Sequence, residues 1–330
     1  MNSTPLRIAL LGTPRSGNTW LRYLLGAAAG IPSLSFHGLD AGILAGLPRD
    51  CVMAVHLDRD PANVRLLESH GFRVLTIARH PFDTLVSILQ FAIHDSESER
   101  WLQGQGGDES GLFGAMPGCR AFVEYAVGDR AKTLLNISAA WWGHPGAVAV
   151  RYEDLVRDPA GELVRLLAEF CPGRTIDLKE IVDHLALEQL RKSSINNHFW
   201  KGEPGLWRQF LTAPVAREIA VAHGELFRAL GYACDPDEAL TDSRADRNWI
   251  AANGPSLRAA LRRSSASHLA ERAAWKAECE RLAGELRASE QRTAEARARF
   301  VPFEGLQGLS VKVARTVQTV RDRVRPNQPR

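Results

Sequence analysis

The sequence predicts an α/β fold in three layers, a central parallel sheet flanked on both faces by helices, followed by a C-terminal helical extension. Three observations predict it. Short apolar runs alternate with helix-forming stretches through the first half of the chain. The first apolar run ends in a glycine-bounded loop that opens a helix. The runs are continuously apolar where a half-exposed strand would alternate, as expected of parallel strands covered on both faces.

Residues 7–11 (RIALL) form the first predicted strand, and residues 19–29, with Leu21, Leu24 and Leu25 at helical spacing, the first helix. The pattern recurs as a strand over 51–56 (CVMAVH) and a helical stretch over 61–69. A strand over 72–78 (FRVLTIA) and a helix over 81–91 follow. An apolar helix ending in Trp141-Trp142 leads into a last strand over 147–152. Between them, residues 95–120 are polar and glycine-rich, and a loop of that length suits a lid, a substrate-binding element or a surface insertion.

The domain organisation follows from a change in composition after Tyr232. Residues 1–232 form the principal domain, 233–254 read as a polar linker, and 255–330 as a basic helical extension. In that extension Trp275, Cys279, Leu282, Leu286, Ser289, Thr293 and Ala296 follow alternating spacings of four and three, an incomplete coiled-coil seam. Val313, Val317, Val320 and Val324 share one helical face among Lys312, Arg315, Arg321 and Arg323. That pattern fits a partner helix, a membrane surface or packing onto the body.

Charge divides in the same place. Residues 1–250 hold 25 Lys and Arg against 30 Asp and Glu, a net −5, whereas 251–330 hold 16 against 8, a net +8. A basic tail on an acidic body suits an anionic surface or a solvated helix, and no nucleic-acid partner is expected. With 45% hydrophobic and 24% charged residues the chain is ordinary globular material. No run of ~18 apolar residues is present, so no membrane span is expected, and no signal peptide is expected before the first strand. The five cysteines, Cys51, Cys119, Cys171, Cys234 and Cys279, are scattered without metal-ligand spacing. They read as reduced thiols of a cytoplasmic protein, peripheral to a membrane if the tail binds one.

Chemistry concentrates in the first loop, where residues 10–20 read LLGTPRSGNTW. The glycine spacing is that of a phosphate-binding loop, G-x-x-x-x-G-K-[ST], but Asn18 stands in place of the lysine. Backbone N–H groups and a helix N-terminus supply most of the anion binding in such a P-loop-like site. The cation is displaced three residues upstream, to Arg15, and Ser16, Asn18 and Thr19 are expected to donate hydrogen bonds to the anion. Loss of that lysine argues against phosphoryl transfer from ATP and toward another phosphorylated donor.

Four segments carry a resemblance to a known family. Residues 13–20 (TPRSGNTW) resemble the 5′-phosphosulfate loop of sulfotransferases that use 3′-phosphoadenosine-5′-phosphosulfate (PAPS). Residues 79–87 (RHPFDTLVS) resemble the 3′-phosphate motif R-x-P-x-D-x-x-x-S. Residues 141–145 (WWGHP), with 150–159 (VRYEDLVRDP), resemble a third segment of that family, and 201–210 (KGEPGLWRQF) its R-K-G-x-x-G-x-W motif. The segments stand in family order over about residues 6–232, and nothing in the family describes 233–330.

The resemblance implies PAPS as sulfuryl donor, adenosine 3′,5′-bisphosphate as product and no metal. It implies that Arg15, Ser16, Gly17, Asn18, Thr19 and Trp20 surround the phosphosulfate and adenine, that Arg79, Ser87, Lys201 and Gly202 hold the 3′-phosphate, and that Tyr152 contacts the adenine region. His56 matches the family's catalytic histidine, and an imidazole with a pKa near ~6.5 accepts a hydroxyl proton at neutral pH. Asp58 is the alternative base. Arg15 is the implied clamp on the departing phosphate, as a guanidinium suits.

Three positions depart from the pattern: Ala54 replaces a lysine, Trp200 an arginine and Leu206 an aspartate. Arg15 or Arg59 is left to supply the charge missing at Ala54. The acceptor is a hydroxylated small molecule, with a saccharide slightly favoured, and Trp101, Phe113, Trp141, Trp142 and Phe199 are candidates to line its pocket. Two rivals use the same residues: a small-molecule kinase with Mg²⁺-dependent ATP turnover, and a non-catalytic scaffold that assembles, as a homo-oligomer for instance, through its tail.

Overall fold

The computed structural model describes residues 4–94, 109–172, 177–193 and 199–254, and in the C-terminal stretch only scattered helical positions between 277 and 295. The chain divides into two compact units, residues 1–263 and 264–330. The described positions of the second unit are exposed, with ion pairing of Arg281 to Glu285 one turn on. Most of the seam over 275–296, and all of the valine face over 313–324, lie outside the described residues, as does Trp101.

The first unit is built on five parallel strands. They are β1 (Arg7–Gly12), β2 (Ser33–Ser35), β3 (Cys51–Val55), β4 (Phe72–Ala78) and β5 (Val148–Arg151), in the order β2-β3-β1-β4-β5. The expected three-layer α/β fold is the one observed. The chain moves outward from β1 to one side, then crosses over it to β4. β1 is therefore central, and its carboxyl end lies where the winding reverses, the place at which open α/β sheets bind ligands.

Side-chain alternation along β1 explains the two covered faces. Ile8 and Leu10 join the core under α1 (Asn18–Ala29), which also holds Leu21, Leu24 and Leu25. Ala9 and Leu11 join the opposite core with Met53, Leu67 and Trp141, beneath α2 (Ala41–Ala45) and α3 (Pro61–Ser69). Successive strand side chains point to opposite faces, and both sets are fully buried. β2 carries only three residues and escaped the sequence reading, because so short a strand has no periodicity to detect.

α4 (Pro81–His94) is buried nearly all round, with Phe82, Leu85, Val86, Ile88 and Leu89 in a third core cluster. Its polar residues Asp83, Thr84, Ser87 and Gln90 are buried as well. Burying polar groups is costly unless they are bonded, which marks this helix as part of a site. α5 (Arg120–Val127) and α6 (Asp129–Trp142) follow, then α7 (Tyr152–Arg157) and α8 (Pro159–Phe170) directly after β5. Further along come α9 (Leu178–His184), α10 (Leu187–Ser193), α11 (Ala213–Ala222) and α12 (Gly224–Leu230).

The polar linker expected over 233–254 needs correction. Residues 242–254 are helical, with Ala245 and Asn253 buried and Trp249 fully buried in the same core as α4. Charged residues fill the first turns there, but the buried Ala245, Trp249 and Asn253 recur every four residues, and that face decides the packing. Of the polar insertion, residues 95–108 lie outside the description. Its end is anchored by the buried Glu109, which binds Arg130 Nε at 2.8 Å and the Tyr125 hydroxyl at 3.1 Å. No helix among the described residues is long and apolar enough to cross a membrane.

Candidate active site

The loop between β1 and α1 is held by its own side chains. Ser16 Oγ donates to the Thr13 carbonyl at 2.7 Å, and Asn18 Nδ2 donates to the same carbonyl at 2.8 Å and to Ser16 Oγ at 3.1 Å. Thr13 is tied in turn to α6, its N–H donating to Ser138 Oγ at 2.7 Å. Ser138 passes its own hydrogen to the Ile77 carbonyl at the end of β4, also at 2.7 Å. The loop thus bridges two neighbouring strands and a helix.

Gly17 is required by this geometry. Its φ is 100°, and a Cβ there would lie 2.5 Å from Tyr152 Cδ2. Arg15 is the one non-glycine residue of positive φ among the described residues, at 68°. Such a backbone is strained for a side-chain-bearing residue and tends to occur where function demands it. Here it turns the guanidinium toward α4, with Arg15 Nε donating to Ser87 Oγ at 3.2 Å and Cζ lying 4.7 Å from the centre of the Phe91 ring. No side chain caps the N-terminus of α1, so that end of the helix faces the cleft uncapped.

Arg79, at the end of β4, lies beside Arg15. Its Nη1 donates to the Arg15 carbonyl at 3.3 Å, and its guanidinium stacks 4.6 Å from the centre of the Tyr152 ring. Arg79 is buried, and its Nε has no hydrogen-bond partner. Neither arginine forms an ion pair with a carboxylate among the described residues. Burial first, then the Arg79 charge, pushes the Arg15 pKa down to about 9, with Tyr152 opposing, so Arg15 remains a cation at neutral pH. Two adjacent cations with an unsatisfied buried donor form a site that lacks its counter-charge.

His56 follows β3 directly. Its Nδ1–H donates to the Gly12 carbonyl at 2.7 Å, and since a carbonyl only accepts, the lone pair is on Nε2 in the neutral ring. Burial pushes its pKa down to about 4, against the opposing effect of the Gly12 carbonyl, with His37 adding slightly to the depression. The ring is neutral at physiological pH, as a proton acceptor must be.

These residues meet in one cleft, open to solvent at its mouth. Of the residues singled out in the sequence, Arg15, Gly17, Asn18, Thr19, Trp20, His56, Arg79, Ser87, Tyr152 and Gly202 line it. Ser16 and Lys201 do not. Ser16 is fully buried with its hydroxyl turned into the loop. Asn18 lines the cleft, yet its amide hydrogens hold the loop together, so the expected donation from Ser16 and Asn18 side chains is corrected to a structural role.

Asp58 is exposed and absent from the cleft wall. Arg59 does not replace the lysine missing at Ala54, because its Nε is directed at His144 Nδ1, 3.3 Å away. Of the pocket aromatics, Phe199 lines the cleft, whereas Trp141 is core, with Nε1 donating to the Leu57 carbonyl at 2.7 Å. Phe113 and Trp142 pack on the α4 core.

Two carboxylates that organise the site were not given roles from sequence. Asp83 accepts from Gly205 N at 2.6 Å and Trp207 N at 2.9 Å, fixing the far loop onto α4. Burial raises its pKa, against the lowering effects of Arg79 and both amide bonds. Glu153 accepts from His80 N at 2.8 Å and from the Tyr232 hydroxyl at 2.7 Å, joining the end of β4 to the end of the domain. Both lie inside recognised motifs, and the signal was a charged residue at a position that the helical pattern buries.

The sulfotransferase-domain family model matches residues 5–231. A search of curated proteins finds no match. Among solved structures, the chain is similar to a mouse sulfotransferase complexed with PAP, with 18% identity and a TM-score of 0.54 over 69% of this chain and 89% of that one. It is also similar to a retinol dehydratase in complex with androsterone and the inactive cofactor PAP, with 15% identity and a TM-score of 0.47 over 69% and 82%.

Proposed function

The chain belongs to the sulfotransferase family and is an enzyme of sulfuryl transfer, and from that premise we propose that it moves the sulfuryl group of PAPS to the hydroxyl of a small acceptor, with His56 as base and Arg15 as clamp. The observation that carries the reading is the pair of adjacent arginines, Arg15 and the buried Arg79, with no ion-pair partner among the described residues, at the carboxyl end of the central strands. The open valence of Arg79 Nε fits a phosphate oxygen, and the uncapped helix N-terminus fits a second anionic group.

In this mechanism Arg79 and Ser87 fix the 3′-phosphate end, assisted by Lys201 and the Gly202 N–H from the far loop. Arg15 holds the phosphosulfate bridge. His56 Nε2 takes the proton of the acceptor hydroxyl while the acceptor oxygen bonds to sulfur. The bond from sulfur to the phosphate oxygen breaks in line, and Arg15 stabilises the charge that gathers on that oxygen. Adenosine 3′,5′-bisphosphate and a sulfated acceptor leave, and the proton on His56 passes to water.

The rest of the cleft wall is Ser35, Ala54, Leu187, Phe199 and Trp200. These walls suit a neutral hydroxylated molecule with one flat apolar face, whether the face of a saccharide ring or an aromatic system. Transfer of labelled sulfuryl from PAPS across a panel of hydroxylated acceptors tests the reaction. Adenosine 3′,5′-bisphosphate is expected to raise the melting temperature and ATP is not; stabilisation by Mg²⁺-ATP alone would replace this reading with a kinase.

A further inference from the structure

The family match ends at residue 231, yet the protein continues into the helix over 242–254, whose Trp249 is fully buried. Its partners are informative. Trp249 packs edge-on against Trp200 at 6.0 Å between ring centres and against Phe210 at 5.2 Å, while Trp200 and Phe210 stack on each other at 5.9 Å. Trp200 also lines the cleft and immediately precedes Lys201 and Gly202. It is the residue standing where the family pattern has an arginine.

The loop that bears these residues is held from two sides. On the inner side Asp83 binds the Gly205 and Trp207 amides, and the Tyr152 hydroxyl donates to the Gly202 carbonyl at 2.8 Å. On the outer side, among the described residues, contacts come from beyond residue 231. Asp235 accepts from Arg208 Nη2 at 2.6 Å, Asn248 Nδ2 donates to the Gln209 carbonyl at 2.9 Å, and Trp249 closes the aromatic trio. An edge of a cleft held only from within remains free to tilt outward; the second row of contacts removes that freedom. Substituting Trp for Arg at 200 forfeits a phosphate contact and gains an aromatic anchor.

We propose that residues 233–254 are part of the donor site, with Trp249 a positioning residue that holds Trp200, and through it the edge formed by Lys201 and Gly202, against the nucleotide. This rests on the cleft being the PAPS site. Its expected signature is a change in donor affinity, since a misplaced edge weakens binding of the nucleotide in ground state and transition state alike.

The test uses the full chain. Calorimetric titration with adenosine 3′,5′-bisphosphate is expected to show roughly tenfold weaker binding by Trp249→Leu, and a donor KM raised to match, with kcat at saturating donor within about threefold. Trp249→Phe, which keeps a ring in the trio, restores most of the affinity. Trp200→Ala and Trp249→Leu together are no worse than the weaker single variant, because they break one contact. In the wild-type protein the nucleotide slows amide exchange over 242–254 as well as over 199–207, a readout that needs no variant to fold.

A folded Trp249→Leu protein with wild-type nucleotide affinity, or nucleotide protection confined to the cleft loop, overturns the proposal. Absence of nucleotide binding by the wild-type protein overturns the donor reading instead, and the proposal with it.

Discussion

The ends of β3 and β4 each carry a histidine just past the strand, and the two look alike by every local measure. His56 and His80 each give one ring N–H to a backbone carbonyl, Gly12 at 2.7 Å and Ala233 at 3.0 Å. Burial is the first cause that pushes each pKa down to about 4. Their surroundings differ. His56 lines the same cleft as Arg15, whereas His80 is stacked on Trp207 at 5.3 Å and enclosed by Phe82, Phe227 and Tyr232. Its Nδ1 accepts from the Phe82 N–H at 3.3 Å, so both ring nitrogens serve the backbone. A depressed pKa marks burial; the open cleft in front of one ring marks chemistry.

The largest effect expected from this contrast is in His56→Ala, with kcat reduced by roughly 10²–10⁴ and nucleotide affinity retained, because the ring acts on the acceptor proton. A variant with full turnover by the labelled-sulfuryl assay would end the assignment. Arg15→Ala comes next, lowering kcat by about 10², while Arg79→Ala acts chiefly on donor KM. Steady-state kinetics with varied PAPS separates the two, and an unchanged KM for Arg79→Ala would count against its phosphate role.

His80→Ala is expected to leave activity per folded molecule within a few-fold and to lower stability by about 3–4 kcal/mol, as deleting a buried ring from an aromatic cluster does. Urea unfolding measures the loss. A catalytic defect exceeding that of His56→Ala would invert the comparison.

The smallest effect is in pH dependence. Both folded pKa values, about 4, lie below the unfolded value, 6.5, so each neutral histidine contributes stability that is present above pH 6.5 and lost as pH falls toward 4. The melting temperature is therefore expected to fall between those pH values, and His80→Gln to flatten the slope. The acid limb of kcat/KM, which reports the free enzyme, is expected near pH 4 to 5 rather than near 6.5.

Much of the site was legible in the sequence because phosphate loops are local objects. Gly12 and Gly17 at fixed spacing, Arg15 between them, and Arg79 ending a strand with Ser87 two helical turns on each follow from the geometry of one strand–helix unit. What escaped depended on partners far away in the chain. Ser16 and Asn18 were expected to donate to the ligand, and only the positions of Thr13 and Ser138 show their hydrogens turned inward. Asp83 stood inside a recognised motif without a role, because its partners Gly205 and Trp207 are more than a hundred residues on. The helix over 242–254 was read as linker because Asp242, Arg244, Asp246 and Arg247 crowd its first turns, while its hold on the core rests chiefly on one ring, Trp249.

The sequence alone determined the layered parallel fold, the family and the loop that places a cation before a helix N-terminus, since periodicity and short motifs are written within single elements. Only the tertiary structure decided which polar groups face the cleft, which of two similar histidines lines it, and that Trp249 reaches back to the cleft's far edge. Those outcomes depend on long-range packing, in which a side chain's direction is set by neighbours that its own segment does not contain.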